Sequence, residues 1–410
     1  MTSQNYICRI SGSPLMPFLD LGKQPLGNGF VIESDFSHEY FYSMMVGFSP
    51  ESKMVQLLNQ PNPELMFHGE YAFYSSTSVT MAQHFSDFSS SVMNSQYLSK
   101  EDPFVIELGC NDGIMLKHFA QRGIKHLGIE PSINVAKVAN ANGVKTISEF
   151  FSSKLAGDIL INFGKADVFL AANVMCHIPH IKDVALAVSS LLKKTGVLIF
   201  EDPYLGDVIE KTSYDQIYDE HVFLFSAHSV KYLFNLYGMD LIDVQWQKTH
   251  GGSMRYTVSH SGEYPVSDNV TNLLEKEKKI GLDKSNTFDI FRANVERSKF
   301  ELKDLLKKLK LEGKRICGYG ATSKSTTILN YCGIGKETID YISDITPIKQ
   351  GKFSPGMHIP IVPHQAFIES PPDYALLFAW NHAEEIMAKE KNFTDSGGKW
   401  IVHVPEVKIL

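Results

Sequence analysis

From Phe104 onward the chain alternates two patterns. Unbroken apolar runs of strand length, "FVIELG" (104–109), "ADVFLAANVMCH" (166–177) and "GVLIFEDPY" (196–204), are separated by stretches with apolar residues three and four apart, "DGIMLKHFAQRG" (112–123) and "INVAKVANANG" (133–143). Continuous runs suit strands covered on both faces, and the wider spacing suits amphipathic helices. "HLGIEPS" (126–132) adds a short strand with a turn. Strands alternating with helices predict a doubly wound parallel sheet. The same device returns near the C-terminus as "RICGYGATSKSTTILNYCG" (315–333), "IDYISD" (339–344) and "YALLFAW" (374–380). Between the two units, residues 267–312 are helical, charged and rich in Lys and Glu, the pattern of a solvated connector. Residues 1–80 carry short apolar runs among Gly, Pro, Ser and aromatics. The expected architecture is α/β: a small irregular β-rich domain (1–85), a central doubly wound domain (86–246) and a C-terminal α/β Rossmann-like domain (247–410).

Composition narrows the function classes. The chain has 410 residues, 43% hydrophobic and 21% charged, which suits two or three globular domains. A net charge of −7 without a basic block argues against nucleic-acid binding. No apolar run reaches the roughly 20 residues that span a bilayer, and the N-terminus lacks an apolar signal core, so the expected location is cytoplasmic and away from membranes. The five cysteines are scattered without a CxxC pair and read as reduced thiols.

The first glycine turn carries the chemistry. In "VIELGCNDGIMLKHF" (105–119) a strand delivers Glu107, Gly109, Asn111, Asp112 and Gly113 into a tight turn before a helix. Glycines there permit close backbone approach and positive φ. Glu130 stands at the end of the next strand, where an acid can accept bonds from both hydroxyls of a ribose. The turn is G-x-x-x-G, not G-x-G-x-x-G, which suits S-adenosylmethionine (SAM) better than a dinucleotide pyrophosphate. Pro131 and Asn173 flank the same edge. A second feature is "SYDQIYDEHVFLFS" (213–226), which sets Tyr218, Asp219, Glu220 and His221 among aromatics. By themselves these residues fit either a satisfied core pair or a tuned proton acceptor.

Taken together, these segments resemble the SAM-dependent sugar C-methyltransferases, which methylate C3 (sometimes C5) of nucleotide-linked 4-keto-6-deoxysugars. The resemblance runs through "LDLGKQPLGNGF" (19–30), "EYAFYSSTS" (70–78), "IELGCNDG" (106–113), "NVMCHIPHI" (173–181), "IYDEHVFLFS" (217–226), "THGGSMRYTV" (249–258), "GYGATSKSTTILNYCGI" (318–334) and "WNHAEEI" (380–386). It implies a methyltransferase that forms a carbon–carbon bond through an enolate, with SAM as methyl donor and a nucleotide-diphosphate sugar as substrate. It implies His221 as the base with Glu220 as its partner, and Tyr218 orienting the imidazole or holding a sugar hydroxyl. His177 becomes a second proton-handling candidate, and Tyr71, Tyr74 and Ser75 would cap the sugar. Lys324, Lys349, Lys352 and Arg255 would surround the diphosphate. Asp219, where the family more often has His, is expected at the solvent or behind the site. The chain is expected to act as a monomer or homodimer.

One departure concerns metal. Members of the family usually open with two C-x-x-C pairs that bind zinc. Here Cys8 faces Ser11, and Ser49 and Ser52 occupy the other pair. Hydroxyls are poor zinc ligands, and His68 and His84 have the wrong spacing to substitute, so no metal is expected. Two alternatives remain open: an O- or N-methyltransferase of another small molecule, which would not need the 218–221 cluster or the second glycine turn, and an inactive relative that only binds SAM or nucleotide sugar.

Overall fold

The computed structural model describes residues 6–67, 75–77 and 79–410. Strands β1 (Met16–Pro25), β2 (Phe41–Phe48) and β3 (Val55–Leu57) form an antiparallel N-terminal sheet. Its inner face is apolar, with Leu19, Met44, Val46 and Phe48 buried. The helix Ser285–Leu311 packs on it. Phe288 lies 4.9 Å from Phe18 and 4.5 Å from Phe48, ring centre to ring centre. The expected solvated connector is therefore half core: Phe288, Phe291, Val295, Leu302, Leu306 and Leu309 are its buried stripe, spaced three, four and seven apart.

The central sheet begins with β4 (Phe104–Leu108), every residue of which is buried, and continues with β5 (Lys125–Ile129), β6 (Thr146–Ile147), β7 (Ala166–Ala172) and β8 (Leu192–Pro203), all parallel. The chain then leaves this sheet. The short strand β9 (Phe223–Leu224) pairs with β3, Gln56 opposite Phe223, so the acid–base segment is stitched to the N-terminal sheet. β10 (Met239–Gln247) and β11 (Ser253–His260) return antiparallel to the central sheet, whose order is β10-β11-β8-β7-β4-β5-β6. The sheet thus runs past residue 246, because the last strand of the hairpin follows the "THGG" turn.

The C-terminal sheet comprises β12 (Ile316–Tyr319), β13 (Ile342–Asp344), β14 (Ile361–Pro363), β15 (Tyr374–Leu377), β16 (Lys399–Val402) and β17 (Lys408–Ile409), in the order β14-β13-β12-β15-β16-β17. In each α/β sheet the order reverses beside its first strand, between β4 and β7 and between β12 and β15. Crevices at the carboxyl ends of strands form at such reversals. Loops from both reversals meet in one cavity. Among the described residues, no helix is long and apolar enough to cross a membrane.

Candidate active site

A cavity of about 800 Å³ collects Gly109, Asn111, Glu130, Pro131 and Asn173 from the central sheet, Tyr218, Glu220 and His221 from the acid–base segment, and Lys324 and Lys349 from the C-terminal sheet. At its central-sheet wall, Gly109 has φ +66°, and an added Cβ would lie 2.7 Å from Val174. The Glu130 carboxylate accepts the N–H of Asn111 at 3.1 Å and of Ser132 at 2.9 Å. Burial pushes its pKa up, and these two bonds hold it down. Ser75 also lines the cavity, and its backbone N–H donates to Asn111 Oδ1 at 3.0 Å.

Three expected cofactor ligands shape the turn instead of facing the cavity. Glu107, Asp112 and Gly113 are not among the lining residues. Glu107 is buried in β4, and desolvation raises its pKa well above the carboxylate range. The Asp112 carboxylate accepts the N–H of Ser76 at 3.0 Å. Gly113 has φ +80°, and a Cβ there would meet Val144 at 2.9 Å. Tyr71, Tyr74 and His68 lie outside the described residues.

The acid–base segment is held by hydrogen bonds. His221 Nδ1 lies 2.7 Å from the Gln216 carbonyl oxygen, so that nitrogen carries the proton and Nε2 is the acceptor. Tyr218 Oη donates to Nε2 at 2.6 Å. Burial holds His221 well below the ordinary imidazole value, with His177 adding to the effect, and holds the Tyr218 hydroxyl protonated. Glu220 does not pair with His221: its Oε1 accepts from Asn28 Nδ2 at 2.8 Å. Asp219 is buried, not at the solvent, and its Oδ2 accepts the Gly27 N–H at 3.0 Å. Burial pushes its pKa up to about 6. His177 also lines the cavity, its ring 5.2 Å from that of His221, and burial pushes its pKa down to about 3.

The second glycine turn supplies cations. Thr322 caps the helix Ser323–Cys332, accepting the N–H of Ser325. Lys324 Nζ donates to Asn381 Oδ1 at 3.1 Å, and Lys349 Nζ to the Ala321 carbonyl at 2.8 Å. Burial lowers the pKa of both lysines, the state of ammonium groups that an anion would stabilise. Lys352 and Arg255 are not among the lining residues. Arg255 lies opposite Glu201 in the β11–β8 pairing, and its Nε donates to Glu201 Oε1 at 2.5 Å. His84 Nε2 contacts the other Glu201 oxygen at 2.7 Å, and the guanidinium covers the Phe88 ring at 3.7 Å. This cation is spent on a buried ion pair within the sheet.

Sequence reasoning missed Asn28, His250, Asn381 and His382, all of which line the cavity. Each stands in a segment that carried the family resemblance, the one signal that pointed toward them. His250 sits at a left-handed kink, φ +55°, with its carbonyl bonded by Gln216 Nε2, and burial lowers its pKa to about 3. One residue thus holds two histidines, since the Gln216 carbonyl also fixes His221. Among the described residues, Cys176, His177 and His221 place ligand atoms within 4.8 Å of one another. Both His221 nitrogens are already bonded and burial keeps the Cys176 thiol protonated, which suits proton handling better than metal binding.

Three family descriptions match successive parts of the chain. They are "Putative zinc binding domain" over residues 8–67, "Methyltransferase domain" over 88–244 and "C-methyltransferase C-terminal domain" over 248–405. The chain is 32% identical over 406 residues to the C-methyltransferase NovU of Streptomyces niveus, covering 98% of this chain and 96% of that protein. Remote structural likenesses include magnesium protoporphyrin IX methyltransferase of Synechocystis with bound SAM (TM-score 0.34, 15% identity, 45% of this chain and 81% of that one). Another is a SAM-dependent methyltransferase of Anabaena variabilis (TM-score 0.35, 15% identity, 43% and 84%).

The first of these descriptions implies zinc, and the residues do not fit it. Cys8 Sγ lies 3.2 Å from Ser52 Oγ and accepts the Ser11 N–H at 3.5 Å. Ser11 Oγ is 2.7 Å from Ser13 Oγ, which is 3.4 Å from Ser49 Oγ. The expected ligand positions do converge, but on one thiol and a set of hydroxyls bonded to each other, whereas structural zinc takes Cys and His donors.

Proposed function

The chain belongs to the C-methyltransferase family and is a SAM-dependent methyltransferase, and from that premise we propose that it methylates a carbon next to the ketone, C3, of a nucleotide-linked 4-keto-6-deoxysugar. The observation that carries this reading is the meeting of a carboxylate-edged turn, a neutral imidazole and two half-buried lysines in one cavity.

When bound, SAM supplies an electrophilic methyl group to a carbanion. Gly109, Asn111, Glu130, Pro131 and Asn173 would hold it, with Glu130 on the ribose hydroxyls. His221 Nε2 takes the proton from the carbon beside the ketone while the Gln216 carbonyl keeps the imidazole in the correct tautomer. Substrate displaces the Tyr218 hydroxyl from Nε2, leaving an O–H donor beside the base for the enolate oxygen. His177, stacked beside His221, is the second proton-handling group. Glu220 holds a sugar hydroxyl. Lys324 and Lys349 hold the diphosphate, whose charge restores theirs. Aromatic surroundings keep water from the enolate. We place the cofactor in a central unit and the nucleotide in a C-terminal one, and the N-terminal unit closes without zinc.

Mass spectrometry of products from SAM and a panel of nucleotide 4-keto-6-deoxysugars tests this. A product heavier by one methyl, with that methyl on carbon, is expected. Methyl on oxygen, or no product across the panel, would sink the reading.

A further inference from the structure

Asn28 belongs to the N-terminal turn Leu26–Gly29, closed by the Gly29 N–H on the Leu26 carbonyl at 3.1 Å. The turn is pinned from two sides. The Gly27 N–H donates to Asp219 Oδ2 at 3.0 Å, and the Gly27 carbonyl accepts from Thr326 Oγ1, on the helix Ser323–Cys332, at 2.8 Å. A Cβ there would lie 2.7 Å from Asp219 Oδ1 and 3.0 Å from the Ser323 side chain, so a larger residue would have to move that carboxylate. Thr327, one residue on, donates to the Ile217 carbonyl at 3.0 Å. The turn therefore touches the acid–base segment and the second glycine turn together. Beside this clamp Asn28 lines the cavity and donates to Glu220 Oε1 at 2.8 Å.

We propose that Asn28 is a positioning residue for Glu220, and that the turn 26–29 makes the N-terminal unit a working part of the active site. An amide N–H is a donor that cannot titrate, so it holds the Glu220 carboxylate at Oε1 whatever the pH. Among the described residues, the β3–β9 pairing and the Gly27 clamp also attach the N-terminal sheet to the site. The kinetic part of the inference rests on the reading of Glu220 as a sugar-hydroxyl ligand.

Two experiments decide it. The first is a crystal structure of N28A in full-length protein. The Glu220 carboxylate should leave its present position while the backbone of 215–222 stays in place. A carboxylate that does not move overturns the proposal, whatever the substrate. The second is a double-mutant cycle with N28A and E220Q on the nucleotide sugar. N28A should lower kcat/KM roughly tenfold, as misplaced contacts do, with SAM affinity unchanged. It should cost nothing further in the E220Q background. Additive losses would overturn the proposal by showing that Asn28 acts on its own. If the wild-type protein methylates no sugar in the panel, the substrate reading fails, and the crystal structure still decides the positioning role.

Discussion

After β4 the chain turns through Gly109, and the N–H of Asn111 is held by Glu130 at the end of β5; after β12 it turns through Gly320, and the N–H of Ala321 is held at 2.7 Å by Asp344 at the end of β13. Each acid also accepts a second backbone N–H two residues after itself, Ser132 for Glu130 and Thr346 for Asp344. The backbone device is the same. What each turn presents to the cavity is opposite. Glu130 lines it, whereas Asp344 does not and Lys349, bonded to the Ala321 carbonyl, does. One shared geometry therefore presents an acceptor edge in one turn and a cationic edge in the other. The lesson is that a strand–glycine–helix turn fixes backbone amides, while a few side chains decide the charge the turn presents.

The largest expected effect lies between the two turns. H221N should cut kcat by about 100- to 10,000-fold, the usual worth of a general base, with SAM affinity unchanged in calorimetry. In deuterated water the wild type should wash deuterium into the carbon beside the ketone, and H221N should not. Exchange at the wild-type rate would pass the role to His177 or Tyr218.

The comparison itself breaks or holds on a reciprocal pair. K324A should weaken nucleotide-sugar binding by about 1–3 kcal/mol, the worth of a charge-assisted contact, and spare SAM. E130Q should do the reverse by a similar amount. If both variants lose both ligands, the two edges do not divide the work.

A smaller effect is the response of stability to pH. His177 and His250 have pKa values pushed down to about 3, against about 6.5 unfolded. The unfolded chain therefore gains protons first as pH falls, and stability present above pH 6.5 is lost toward pH 3. Each should cost on the order of 1–2 kcal/mol between pH 6.5 and 5. Asp219, raised to about 6, works in the opposite sense below that pH. H250N should make the stability–pH slope shallower in denaturant titrations at several pH values; an unchanged slope would mean that His250 is free to charge.

The smallest expected effect is none at all. Dialysis against a chelator should leave Tm unchanged, and elemental analysis should find well under one zinc per chain, because Cys8 stands among serines. A stoichiometric metal would replace the hydroxyl network as the closure of the N-terminal sheet.

Pattern in the chain was enough to predict α/β strand–helix alternation, both glycine turns and the acid at the end of the second strand, since periodicity and glycine act locally. Tyr218, Glu220 and His221 come forward as a site only through the family resemblance, since their own pattern fits a core pair equally well. Pairings were another matter. Glu220 and His221 are chain neighbours, yet Glu220 bonds Asn28, 192 residues away, while His221 bonds the Gln216 carbonyl and Tyr218. Arg255 reads as a free cation until strand register sets it against Glu201. The connector 267–312 reads as solvated because its charges outnumber the stripe that meets Phe18 and Phe48. What the sequence by itself determined was which residue types stand at strand ends and turns, because those follow from short-range sterics and burial. Only the tertiary structure decided which donor meets which acceptor and which lysine meets the cavity. Many of those meetings join segments far apart in the chain, up to 299 residues between Gly27 and Thr326, and no local preference encodes them.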